Sequence, residues 1–289
     1  MRLFAIEGNT QRLDGGAMFG NAPKALWEKW YPADAENRIH LATRALLLQL
    51  NDGRNILFEA GVGTFFEPKL KQRYGVVEEE HRLLQSLQQI GLQDSDIDSV
   101  ILSHLHFDHA GGILSAYGDG EPRLLFPKAR FYVGKQQFER ALTPHMRERA
   151  SFIPLINEKL TTSGRLVLVD HERHPDLDFG VTFRFVHGHT LGLMLAQLVV
   201  EDRPLVFVSD LIPGAAWMHL PITMGYDRFA ELLIDEKAAL LQELLKSNGQ
   251  VFFTHDPQVS FADVKQDEKG RYVATSSGDI RPHKHTESC

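Results

Sequence analysis

The stretch SVILSHLHFDHAGG, Ser99 to Gly112, runs an almost wholly apolar segment directly into three histidines and an aspartate packed within six positions. A short apolar run of this kind reads as a buried strand. His104, His106, Asp108 and His109 then fall in the loop at its end, where rigid scaffolds present reactive groups. Taken alone, the cluster also suits a histidine-rich surface loop, so its reading depends on what the rest of the chain brings to it.

The rest of the chain offers matching strand ends. VTFRFVHGH closes on His187 and His189, PLVFVSD on Asp210, and QVFFTHD on His255 and Asp256. A divalent metal needs deprotonated nitrogen and oxygen donors gathered from separated elements, and imidazole suits zinc, iron and related ions. His104 and His106 are two apart, leave an extended segment on the same side, and so reach one ion. Asp108 and His109 are adjacent where the glycines of AGG turn the chain into a helix, and they point to a second ion close by, as in sites whose ions lie about 3.5–4 Å apart.

The remaining pattern supplies the frame. ATRALLLQLNDGRNILFEAG reads as two antiparallel strands joined at Asn51-Asp52-Gly53, with Asp-Gly favouring a tight primed turn. VEEEHRLLQSLQQIGL spaces Leu83, Leu84, Leu87 and Ile90 for a helix, with acidic residues in its first turn and Gly91 as C-cap. ARFYVG, LVLVD and LMLAQLVV are further strands, and DRFAELLIDEKAALLQELLKSNG is a long helix with Asp227 as N-cap and Gly249 as terminator. Residues 1–40, with Trp27 and Trp30, read as a loop-rich N-terminal extension holding one short helix. Residues 263–289 read as a C-terminal strand and polar tail, with His283 and His285 solvated. No low-complexity linker or repeat divides the chain, so 1–289 is expected to form a single α/β (α+β) domain with sheets covered by helices.

Of 289 residues, 43% are hydrophobic and 24% charged, an ordinary globular composition. The net charge of −7 argues against a nucleic-acid partner and suits a small-molecule enzyme. Cys289 is the only cysteine, so no intrachain disulfide forms. No stretch matches a secretory signal or a membrane span, which implies a cytoplasmic protein without a membrane partner.

The order H-x-H-x-D-H, then G-H-T-x-G at Gly188–Gly192, then an Asp and a His each ending an apolar strand, spans roughly Leu41 to Asp256 and resembles the metallo-β-lactamase superfamily. The resemblance implies an αββα sandwich, two β-sheets face to face with helices outside and the metal site at one edge. By motif position, His104, His106 and His189 would hold a first divalent ion, Asp108, His109 and His255 a second, and Asp210 would bridge them; His187 is the rival to His189. Zinc is the expected metal, with iron, manganese and cobalt as alternatives. The implied reaction is hydrolysis by a metal-bridging hydroxide, with Asp108 also passing a proton to the leaving group.

Branches of the superfamily separate on particular residues. The common β-lactamases lack a carboxylate at the place of Asp210, a flavin-dependent diiron reductase would replace His106 with a carboxylate, and an RNA-processing member would carry a basic patch. DGGAMFGNAPKALWEKWYP, GVGTFFEPKLKQRYGV and SDLIPGAAWMHLPITMGYD instead resemble the quorum-quenching N-acyl-homoserine lactonases, the YtnP-like group in particular. That implies opening of an acylated lactone ring. Aryl-ester or organophosphate hydrolysis, a glyoxalase-II-like thioesterase and a non-enzymatic ligand-binding member are the alternatives. Well-studied lactonases carry a Tyr three residues after the bridging Asp; Pro213 stands there, and Tyr226 in MGYD is the candidate substitute. Phe107, Trp27, Phe65, Phe66, Trp217, Met218 and Met224 are candidates for an apolar substrate pocket, with core packing as the competing reading. Glu59 stands where many relatives carry Asp, which leaves its role open. His40, His81, His145, His171, His174 and His219 match no motif and default to structural or surface roles. The pattern also leaves open whether residues 1–40 cover the active site or form a homodimer contact.

Overall fold

Apolar runs that pair side by side build the architecture, and a computed structural model describes residues 1–276 of it, leaving His283, His285 and Cys289 outside the described residues. The chain opens on β1 (Arg2–Ile6), then forms a two-stranded ribbon of β2 (Gln11–Asp14) and β3 (Arg38–Leu41). β4 (Ala45–Gln49), β5 (Asn55–Phe58), β6 (Ser99–Leu102), β7 (Arg130–Gly134) and β8 (Leu166–Val169) join β1 in a six-stranded sheet ordered β1-β4-β5-β6-β7-β8. β9 (Thr182–Val186), β10 (Leu193–Val200), β11 (Arg203–Phe207), β12 (Gln250–Phe252), β13 (Phe261–Gln266) and β14 (Tyr272–Ser276) form the second, ordered β14-β13-β12-β11-β10-β9. β5 through β8 run parallel, as do β11 and β12. Every residue of β5 and β6 is buried, and strands covered on both faces read as continuous apolar runs rather than alternating ones.

The two sheets face each other across a layer in which Leu46, Phe58, Ile101 and Tyr132 meet Met194, Leu205, Phe207 and Phe252. Among the described residues, eight α-helices accompany them: α1 (Gly15–Phe19), α2 (Lys24–Trp27), α3 (Pro68–Arg73), α4 (Arg82–Gln89), α5 (Phe107–Ala110), α6 (Lys135–Leu142), α7 (Pro154–Thr162) and α8 (Ala230–Lys246). α4, α6 and α7 bury Leu83, Leu87, Phe138, Ile156 and Leu160 on the outer face of the first sheet. α8 lays Leu233, Leu240, Leu241 and Leu244 on the outer face of the second. The result is the αββα sandwich that the resemblance implied. Among the described residues, no helix is long and apolar enough to cross a membrane.

Local details depart from the sequence reading. Residues 1–40 are not chiefly loop: Arg2–Ile6 pairs in register with Ala45–Gln49, and the segment adds two helices and a strand ribbon. At the β4–β5 hairpin only Gly53 has positive φ, at 93°. Gly53 N donates to Leu50 O and Leu50 N to Arg54 O, so the turn is a wider one closed by a left-handed glycine rather than a two-residue primed turn. The acidic residues Glu78–Glu80 precede α4 instead of occupying its first turn. Asp227 does not cap α8, which begins after Phe229; its carboxylate accepts from Met224 N at 2.6 Å and faces a histidine of the site.

Candidate metal centre

The residues singled out by pattern all follow strands. His104 lies just past β6, His106 immediately precedes α5, and Asp108 and His109 sit within that helix. His189 lies in the turn between β9 and β10, Asp210 in a single 3-10 turn after β11, and His255 just past β12. The AGG of the motif has a packing reason: a Cβ on Gly112 would lie 2.0 Å from the carbonyl oxygen of Ala60, so only glycine lets α5 settle against the segment after β5.

These side chains converge on Asp210. Its Oδ2 lies 3.2 Å from His189 Nε2, 3.3 Å from His109 Nε2 and 3.9 Å from His104 Nε2, while Oδ1 lies 3.1 Å from His255 Nε2. Two groups of donors form around it, His104, His106, His189 and Asp210 in one, and Asp108, His109 and His255 in the other, each with its donor atoms within 4.8 Å of one another. His106 Nδ1 faces His189 Nε2 at 3.2 Å, and His109 Nε2 faces His255 Nε2 at 3.1 Å. His104, His109, His189 and His255 are almost wholly buried. His187 stands apart, its Nδ1 accepting from Gly192 N.

The outward nitrogens show what the inward ones can do. His109 Nδ1 is 2.9 Å from Glu59 Oε2, His189 Nδ1 is 2.8 Å from Asp227 Oδ1, and His255 Nδ1 is 2.7 Å from the carbonyl of Ala42. Each of these acceptors takes an N–H, which leaves a lone pair on Nε2 directed inward. Lone pairs facing one another at such distances in a dry site repel unless a cation lies among them. His104 Nε2 and Asp210 Oδ1, both buried, have no hydrogen-bond partner at all. The donor set therefore fits divalent metal, with the mixed imidazole and carboxylate ligation that zinc and related ions take. Protons compete with a metal for these imidazoles: the carboxylates around them raise His109, His189 and His255 above the ordinary imidazole value against the effect of burial. In their protonated form the three outweigh the burial of Asp210 and hold its carboxyl well below the usual range. Burial likewise pushes His104 well below the ordinary imidazole value, reinforced by His109 and His106.

Glu59 is the hub of the support. It is fully buried at a φ of 64°, a conformation uncommon outside glycine. Ser103 Oγ donates to its Oε1, Ser209 Oγ lies 2.8 Å from the same oxygen, and Thr254 Oγ1 lies 3.2 Å from Oε2. One carboxylate thus joins residues at the ends of β5, β6, β11 and β12, and so ties the two sheets together at the site.

A cavity of about 130 Å³ opens onto the cluster through His106, Asp108, His189, Asp210 and His255. Phe107, Met224 and Tyr226 line it, as does Tyr74. Trp27, Trp217 and Met218 do not: they are buried in the core beneath the second sheet, where Phe19 stacks between Trp27 at 5.5 Å and Trp217 at 4.4 Å. Phe65 and Phe66 pack on each other at 4.1 Å, and Phe66 backs Phe107 rather than reaching the cavity. Asp108 receives a hydrogen bond from Gln11 Nε2 at 3.0 Å. Burial raises the Tyr226 hydroxyl above its ordinary value, with the charge of Asp108 adding to it, which keeps the phenol protonated at neutral pH.

The profile of the metallo-beta-lactamase superfamily matches residues 40–255. The chain belongs to that superfamily. It is a metal-dependent hydrolase. An N-acyl homoserine lactonase of Agrobacterium fabrum, AiiB, is 28% identical over 247 residues, covering 78% of this chain and 86% of its own. A probable metal-dependent hydrolase from Staphylococcus aureus superposes with a TM-score of 0.83 at 26% identity, over 96% of this chain and 97% of its own. AidC, a dizinc quorum-quenching lactonase solved with the product N-hexanoyl-L-homoserine, superposes with a TM-score of 0.74 at 22% identity, over 95% of this chain and 94% of its own.

Against the superfamily motifs, the carboxylates behind the cluster are the residues that pattern reading missed. Asp227 carried the signal of a helix cap, and Glu148 in HMRERA carried none. Glu148 is buried; Arg140 Nε donates to its Oε1, and Thr190 Oγ1 donates to Oε2 at 2.9 Å. Burial works against its ionisation, but His106, Thr190 and Arg140 prevail and hold the carboxyl down at about 2. Leu13, Met18, Ala150 and Ser151 of the cavity wall carried no signal either.

Proposed function

We propose that this metallo-β-lactamase superfamily member opens the lactone ring of N-acyl homoserine lactones with two divalent ions, zinc in the first instance. His104, His106 and His189 would hold one ion, Asp108, His109 and His255 the other, with Asp210 between them. The observation that carries the reading is the convergence of inward-facing imidazole nitrogens on one buried carboxylate beside an apolar cavity, in a chain whose relatives include lactonases. When bound, such ions acidify water toward neutrality and polarise an ester carbonyl.

The chain's own residues account for the rest. Asp108, whose carboxylate is oriented by Gln11, borders the cavity and is in position to carry a proton toward the leaving alkoxide. Tyr226, protonated and lining the same cavity, offers a hydroxyl to the carbonyl oxygen as negative charge develops there. Leu13, Met18, Phe107 and Met224 form an apolar wall that keeps bulk water from the ring. The test is ring opening of short- and long-chain acyl homoserine lactones by zinc-loaded protein beside a chelated control. Rapid, chelator-sensitive opening supports the reading. No opening of either lactone by protein holding two ions overturns it and turns the search to aryl esters, organophosphates and thioesters.

A further inference from the structure

Of the five histidines around Asp210, four turn Nε2 inward and have Nδ1 beside an outward partner: Ser103 Oγ for His104, Glu59 for His109, Asp227 for His189 and the Ala42 carbonyl for His255. His106 is reversed. Its Nδ1 faces the cluster and its Nε2 points away, buried and without a hydrogen-bond partner, 3.8 Å from Glu148 Oε2. An imidazole that must offer a lone pair at Nδ1 needs its proton on Nε2, and an anionic acceptor beyond Nε2 is what selects that tautomer.

We propose that Glu148 is the positioning residue that fixes His106 in this reversed orientation. Glu148 is itself held: Arg140 donates to one of its oxygens, Thr190 to the other, and Arg228 Nε lies 3.7 Å away. Thr190 directly follows His189, so the same carboxylate braces the neighbours of two residues in one donor group. The segment that carries Glu148 also touches His106 directly. Phe152 pairs with it through the backbone and packs edge-on to its ring at 4.7 Å, and Ala150 and Ser151 line the cavity. Residues 148–152 therefore form a strap that joins the cavity wall to one particular ring nitrogen.

The proposal rests on the metal reading of the cluster, but its first readout needs no metal. Two-bond proton–nitrogen correlation spectra of the full-length, metal-free chain labelled at histidine, with His106 assigned by comparison with His106→Gln, are expected to show the proton on Nε2. In Glu148→Ala the His106 signal should shift toward the Nδ1-protonated form. Zinc titration against a competing chelator should then show the affinity for one of two ions reduced about 10–100-fold. Glu148→Gln keeps the shape and gives the same readouts in smaller measure should the alanine variant fail to fold. A wild-type His106 protonated on Nδ1 overturns the proposal. A folded Glu148→Ala or Glu148→Gln chain with the wild-type tautomer and wild-type zinc affinity does so as well.

Discussion

At the scale of single residues, the site depends on buried carboxylates set against imidazoles. Asp210 has imidazoles on both of its oxygens, so Asp210→Ser should leave at most one tightly held ion. Metal analysis after exhaustive dialysis checks this, and two retained ions would remove the bridging role. Tyr226→Phe should slow lactone opening tenfold or more, equivalent to about 1.4 kcal/mol, because only the hydroxyl is lost. An unchanged kcat/KM would return Tyr226 to a packing role. The metal-facing donors were legible because four of them stand within six positions and the others end apolar runs. The carboxylates behind them were not. Asp227 lies 38 positions from His189 and Glu148 lies 42 from Thr190, and nothing local separates a buried, fully paired acid from a solvated one. Trp27 and Trp217 misled for a related reason: a large aromatic in a glycine-rich loop fills either a core or a pocket, and only its tertiary neighbours decide.

At the scale of elements, α8 does more than cover the second sheet. Lys237 on it is fully buried, and its Nζ donates to the carbonyls of Trp217 at 2.9 Å and Ile222 at 2.7 Å, pinning the loop that leads from Asp210 to Met224. Burial lowers the Lys237 ammonium from 10.5 to about 8. Between those two values the unfolded chain binds more protons at this group than the folded chain, so stability should rise with pH across the window. The increment is at most about 3 kcal/mol. Urea unfolding at a series of pH values, with Lys237→Met alongside, checks it: the variant should lack that part of the rise, and identical slopes would mean an unperturbed lysine. The long helices and buried strands were readable from their apolar period, but not their N-terminal caps: Asp227 lies short of α8 and the acidic run Glu78–Glu80 short of α4. β1 was not, since RLFAI is short and acquires its strand character from pairing with Ala45–Gln49 far along the chain.

At the scale of the whole molecule, the donors come from both sheets, His104, His106, Asp108 and His109 after the first and His189, Asp210 and His255 after the second. An ion held between them stabilises only the assembled sandwich. Zinc should therefore raise the thermal midpoint, and a chelator lower it, by the midpoint shift that about 4 kcal/mol produces when free metal stands near 1,000 times its Kd. Calorimetry at fixed protein concentration checks this; a midpoint indifferent to chelator would mean that no ion joins the sheets. The residues themselves gave only sheets covered by helices; the αββα layering was legible through the superfamily resemblance that the motifs carry. The same spacing of donors has a consequence in time. A ribosome that has just completed His109 has roughly 150 residues still to add before His255 exists, which at about 5–20 residues per second is roughly 8–30 s. During that interval the donor set grows by His189 and then Asp210 but stays incomplete, so the closed site is the last part of the fold that synthesis makes possible.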